Sequence, residues 1–139
     1  MKLLLDTNIV VDVISKRDGF EESLKLLKLC ELGIVEGFVS TTTVTDVMYI
    51  LRKHIDPDGV RSAVQTLLLI VDVAGVLKSD ISSAFLSNVT DFEDAVQSSC
   101  AERIKADYIV THNIKDFGES SVPAISPSKA QELMGVDIA

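Results

Sequence analysis

A chain of 139 residues suits one compact domain, well above the size at which a core needs disulfides or metals to hold it. An apolar fraction of 47%, with 24% charged residues and only 3 prolines and 7 glycines, excludes disorder for the bulk and describes an aliphatic core. Thirteen basic against 21 acidic residues give a net charge of −8, the reverse of the footprint of a protein that grips nucleic acid through its overall field.

In chain order, Lys2 to Leu5 is a short apolar run that stops at Asp6-Thr7-Asn8 and predicts a buried strand feeding a helix over Ile9-Val10-Val11, broken at Asp18-Gly19. Phe20 to Leu32 has helical spacing, with Gly33 at the stop position. A strand over Gly37 to Ser40 leads into a helix opened by Thr41-Thr42-Thr43, whose apolar stripe is Val44, Val47, Met48 and Leu51. Asp56-Pro57-Asp58-Gly59 precedes a helix from Val60 to about Leu69; a strand over Val71 to Val76 and a short helix over Ser79 to Asn88 follow. Asp91 to Ala106 is the best-marked helix, and Tyr108 to Thr111 is the next strand. Pro123 to Ile125 predicts a fifth strand and Ser128 to Met134 a closing helix. Alternating helices and short apolar strands predict an α/β fold, a three-layer α/β/α domain with a mostly parallel sheet of 4–5 strands.

Cys30 and Cys100 sit inside helical patterns with no ligand spacing around them and read as buried free thiols. The opening apolar run meets Asp6 at once, and Leu67 to Val71 is equally short, so neither spans a membrane. The expectation is a cytoplasmic protein with no membrane partner.

In open parallel sheets chemistry collects beyond the carboxyl ends of the strands. Asp6 ends the first strand there, and Thr111-His112-Asn113, with Asp116 three residues on, ends the fourth. Asp46 stands off the apolar stripe of its helix, and Asp94 stands in the same relation to Phe92, with Ser98 and Ala101 continuing a small-residue face. Carboxylates without a histidine or cysteine partner suit a hard divalent cation, Mg²⁺ or Mn²⁺, and the chemistry that follows is hydrolysis at phosphorus. Each residue also has an ordinary reading. Thr43 to Asp46 and Asp91 to Asp94 have capping-box spacing, Asp6 can cap the helix after it, and Asp116 and His112 can be solvated loop residues.

Taken together, Leu3-Leu4-Leu5-Asp6-Thr7-Asn8, Val39-Ser40 through Asp46, Asp94-Ala95-Val96 with Ala101, and Ala106 through Asn113 closing in Asp116-Phe117 resemble the PIN-domain family, metal-dependent ribonucleases that include the VapC-like toxins. The resemblance runs nearly end to end and implies a single PIN-like domain over residues 1–139. It implies metal binding by Asp6, Asp94, Asp46 and Asp116, with Thr7, Asn113, Asp91 and His112 orienting water or substrate. The second acid is Asp46 where the family usually has Glu, and Asn113 stands at an often acidic position, which also makes a catalytically weakened RNA- or protein-binding module conceivable. The implied activity is Mg²⁺- or Mn²⁺-dependent hydrolysis of RNA by the toxin of a toxin–antitoxin pair, a homodimer held in check by an antitoxin. His112, Lys115, Arg52, Lys53, Arg17 and Lys16 are the expected phosphate contacts from their placement. Five acids, Asp6, Asp46, Asp91, Asp94 and Asp116, are candidates for one site, and setting them aside leaves −3 for the rest of the chain.

Overall fold

The computed structural model describes residues 1–135. Five strands, β1 (Lys2–Leu5), β2 (Glu36–Ser40), β3 (Asp72–Ala74), β4 (Tyr108–Val110) and β5 (Ala124–Ile125), form one sheet in the order β3-β2-β1-β4-β5. Every pairing is parallel, with Leu4 opposite Phe38 on one side and Ile109 on the other. Seven helices connect and cover it: α1 (Thr7–Ser15), α2 (Phe20–Glu31), α3 (Thr41–Leu51), α4 (Pro57–Leu67), α5 (Lys78–Leu86), α6 (Phe92–Arg103) and α7 (Pro127–Met134). None of the described helices is long and apolar enough to cross a membrane.

The period-two alternation of β1 divides the core. Leu3 and Leu5 enter one apolar cluster with Ile9, Leu26, Val47, Val60 and Ala130, so α1 to α4 and α7 share that face. Leu4 points the other way, packing with Ala101, Ile109 and Phe117 beneath α6. Both faces are covered, which is why the strands read as continuous apolar runs. The order in which strands are added reverses at β1: β2 and β3 lie to one side, β4 and β5 to the other. The gap between the carboxyl ends of β1 and β4 is therefore the switch point where such sheets bind ligands.

Local chemistry fixes the helix ends that matter. Asp6 caps α1, accepting from Thr7 N at 2.8 Å, and α1 stops at Lys16 in the left-handed region, φ 54°. Ser40 caps α3 through Thr43 N, so the capping box expected at Thr43 to Asp46 is displaced one turn upstream, and Thr43 is free to face the interior. At Asp91 the cap is as expected: it accepts from Asp94 N at 3.0 Å. Helix α4 starts at Pro57 rather than Val60, because Asp56 accepts from Gly59 N and proline supplies the first-turn φ. The third strand is shorter than Val71 to Val76, three residues at the sheet edge. Cys30 and Cys100 are buried free thiols.

Helix α6, which carries Asp94, is anchored near its other end by an ion pair between the exposed Arg103 and the buried Asp80. Arg103 Nε donates to both oxygens of Asp80, at 3.0 and 3.1 Å, and its guanidinium also reaches Gly75 O. Asp80 in turn accepts from Leu77 N, tying the start of α5 to the same arginine.

Candidate active site

The switch point opens into a cleft of about 490 Å³ lined by four carboxylates, Asp6, Asp46, Glu93 and Asp94, together with Thr7, Asn8, Gln97, Tyr49 and Arg17. Arg17 alone among the lining residues carries positive charge. Asp94 also borders a second depression, shared with Asp91, Lys115, Asp116 and Glu119. Asp6, Asp46 and Asp94 thus meet in one cleft, and Asp116 lies in the one-turn 3-10 helix Ile114–Phe117 against Asp94's other flank.

Asp6 is the organising residue. It is buried, and each of its oxygens is held: Oδ1 accepts from Thr7 N at 2.8 Å and more weakly from Gln97 Nε2 at 3.5 Å, while Oδ2 accepts from the Thr111 hydroxyl at 2.8 Å. Thr43 Oγ1 links the surroundings, 3.0 Å from Gln97 Nε2 and 2.9 Å from Thr7 Oγ1. Burial pushes the Asp6 carboxyl above its usual range; its hydrogen bonds with Thr111, Thr7 and Gln97 pull it down, and the Asp116 charge raises it again.

Like charges strain the cluster. Asp94 is pushed up to about 7, by burial first and then by Asp6, Asp91 and Asp116. Glu93 also rises to about 7, chiefly through hydrogen bonding with Asp46, then through burial and the charges of Asp46, Asp91 and Asp94. The pair means that the short Asp46 is met by a glutamate from α6.

The other expected residues are placed differently. Thr7 lines the cleft, and Asp91 is spent on its cap at the edge of the second depression. His112 turns from the acids to Asp12, with Nε2 2.9 Å from Asp12 Oδ2, and Arg17 lies 3.7 Å from the other Asp12 oxygen. Asn113 is exposed outside the cleft lining and begins the 3-10 turn. Glu93 and Gln97 had no place among the expected site residues. Their signal was the same-face spacing of Glu93, Asp94 and Gln97 on α6, hidden by reading that face from Asp94 through Ser98 and Ala101; Ser98 instead bonds Ser120 at 2.6 Å.

Among the described residues no three His, Cys, Asp or Glu side chains converge closely enough to cage a metal. The donor set, carboxylates with no histidine or cysteine among them, is of the oxygen-only kind that hard divalent cations take. The mutual repulsion of Asp6 and Asp94 is what such a cation relieves.

Comparison with known proteins gives the family. The family model described as a PIN domain matches residues 2–115, most of the chain and all of the elements that build the cleft except the end of the 3-10 turn. The chain belongs to the PIN-domain family. No curated protein sequence matches it. The fold of this PIN domain is also that of VapBC2 from Rickettsia felis bound to a promoter DNA fragment, at TM-score 0.71 and 20% identity, covering 91% of this chain and 98% of that one. A toxin–antitoxin complex from Klebsiella pneumoniae matches at TM-score 0.68 and 20% identity, covering 90% and 97%. VapC20 from Mycobacterium tuberculosis, a sarcin-ricin loop cleaving toxin, matches at TM-score 0.64 and 11% identity over 77% and 86%.

Proposed function

We propose that this PIN domain is a Mg²⁺- or Mn²⁺-dependent endoribonuclease and the toxin of a toxin–antitoxin pair. The observation that carries the reading is the cleft itself, where acids at the end of β1, on α3 and on α6 meet, and where burial first and then Asp6, Asp91 and Asp116 raise Asp94 to about 7.

Asp6 and Asp94 would hold the cation, with Asp46 and Asp116 at its margins. Bound there, it supplies the positive charge that makes a neighbouring water acidic and offsets the charge building on the phosphoryl oxygens. The chain's own residues do the rest. Thr7 N and the Thr111 hydroxyl hold Asp6 in one orientation, so its lone pairs are set before substrate arrives. Arg17 meets the phosphate backbone at the cleft. The Glu93 carboxyl, raised by its hydrogen bond with Asp46, stands in the cleft where it could exchange a proton with a leaving ribose oxygen.

Two partners belong to the reading. An antitoxin is supported by an apolar groove of about 540 Å³ between α1, α2 and α4, lined by Val10, Val13, Ile14 and Leu24, and by structural neighbours that are toxin–antitoxin complexes. A homodimer is supported by Phe85 and Leu86, strongly exposed beside Phe92. A second reading, a PIN fold that binds RNA or protein without cutting, is favoured by the neutral Asn113, which lies exposed outside the cleft lining.

The deciding experiment incubates the purified protein with RNA in EDTA, Mg²⁺ or Mn²⁺, beside Asp6→Asn and Asp94→Asn. Cleavage that needs the cation and disappears in both variants supports the nuclease. Cleavage in EDTA, or unchanged in the variants, removes these acids from the chemistry; no cleavage of any RNA leaves the binding module.

A further inference from the structure

One wall of the acid cleft is not acidic. On α3, Asp46, Tyr49 and Ile50 follow helical same-face spacing and all three line the cleft. Tyr49 is 65% exposed, although the Arg52 guanidinium lies flat enough on it to bring Cζ within 3.5 Å of the ring centroid. Arg52 also donates through NH1 to the Tyr49 carbonyl, so ring and guanidinium are fixed to each other one helical turn apart. One ring face is thereby covered by a cation, while the ring, which lines the cleft, stays largely exposed.

We propose that the Tyr49–Arg52 stack is a base-stacking platform, and that the site takes an unpaired nucleotide whose base lies on the free face of Tyr49. The inference rests on the nuclease reading for the chemistry beside it. An aromatic face accepts any base, but only one released from its own helical stack, so the platform selects single-stranded or looped RNA over duplex. A guanidinium pinned against the ring restricts its rotamers and sets a second positive charge, after Arg17, beside a cleft whose acids repel a phosphate backbone. Arg17 lines the same cleft and would meet the adjoining phosphate. Tyrosine and arginine also anchor protein interfaces. The nucleotide is favoured because Tyr49 shares one cleft with the acids of the proposed hydrolytic site and with Arg17, the one cation among its lining residues.

The test titrates the intact protein, in Ca²⁺ as a hard cation, against a short labelled single-stranded RNA and the same RNA in a blunt duplex, following fluorescence anisotropy. The single strand should bind more tightly. Tyr49→Ala and Tyr49→Leu should each weaken it at least about fivefold, Tyr49→Phe and Tyr49→Trp should retain it, and duplex binding should not change. Arg52→Ala should give a smaller loss. Because Tyr49 is exposed, all variants should melt with the wild type, which separates lost stacking from lost folding. Equal binding by Tyr49→Ala and wild type, equal loss on the duplex, or no binding of RNA would overturn the proposal, as would a Tyr49 effect confined to binding a protein partner. Cleavage in Mn²⁺ is scored separately. Tyr49-dependent binding without cleavage keeps the platform and removes the nuclease, whereas cleavage indifferent to Tyr49 does the reverse.

Discussion

Replacing Asp94 by asparagine removes a charge from a crowded site without changing its shape, and the effect on stability has an unusual sign. In the folded protein this carboxyl titrates near 7 instead of 3.8. Below its unfolded pKa both states hold the proton and there is no penalty. As pH rises from about 4 to about 7 the unfolded chain ionises first, so the folded state loses stability across that window, and above it the penalty is complete. At roughly 1.36 kcal/mol for each pH unit of that window, the full penalty for a completely buried carboxylate would be about 4 kcal/mol. Asp94 is only half-buried, and solvent screening reduces this to roughly 1–2 kcal/mol. In EDTA at about pH 8, Asp94→Asn should therefore melt about 3–6 °C higher than wild type, with the gain shrinking toward about pH 5. Circular dichroism melts in the two buffers measure it directly. Adding Mn²⁺ should raise the wild-type Tm and not that of the variant, because the cation binds the folded state through Asp94. A variant that melts lower than wild type in EDTA at the higher pH, or that gains as much from Mn²⁺, would refute the reasoning.

Thr111→Val keeps the shape of a fully buried residue but removes the hydroxyl held by Asp6 Oδ2, and should cost about 1.5–3 kcal/mol in urea unfolding near neutral pH. Gln97→Met also removes a buried amide oxygen that lacks a partner, so its stability should stay within about 1 kcal/mol of wild type while Mn²⁺ affinity by calorimetry falls. Arg103→Ala takes the ion-pair partner from the buried Asp80, which keeps only its bond from Leu77 N, and with Arg103 partly solvent-screened should cost about 1–2 kcal/mol by the same unfolding assay, far from the cleft chemistry. Gly37→Ala would set a Cβ 2.7 Å from Cys30 Sγ and 3.0 Å from Val71, and should destabilise by about 1–3 kcal/mol, with Cys30→Ala restoring part of the loss.

The elements are legible in the sequence because both signals that define them are local. Apolar runs such as Leu3-Leu4-Leu5 and Tyr108-Ile109-Val110 end in polar residues, and Asp91 announces the helix it caps, whereas Asp56 reads as part of a break before Val60 and in the fold caps α4 from Pro57. Boundaries slip where a second cap competes: Ser40 takes the role expected of Thr43, releasing Thr43 to join Thr7 and Gln97 around Asp6. Asp6, Asp46 and Asp94 are legible because their positions on strand end and helix face place them at one end of the sheet. Glu93 and Gln97 are not, since their roles depend on how far α6 lies from α3 and β1. His112 is hidden for the same reason: only the fold shows that Asp12, one turn into α1, lies within 2.9 Å of its ring. The acidic net charge is likewise partly local, gathered into a cleft that a cation can neutralise.

The most direct test is a crystal of the protein grown with Mn²⁺ and measured at the manganese absorption edge. An anomalous peak coordinated by Asp6 and Asp94 carboxylate oxygens, completed by waters and flanked by Asp46 or Asp116, is the predicted result. Manganese bound elsewhere on the molecule, with the Asp6–Asp94 cleft holding only water, would contradict the account.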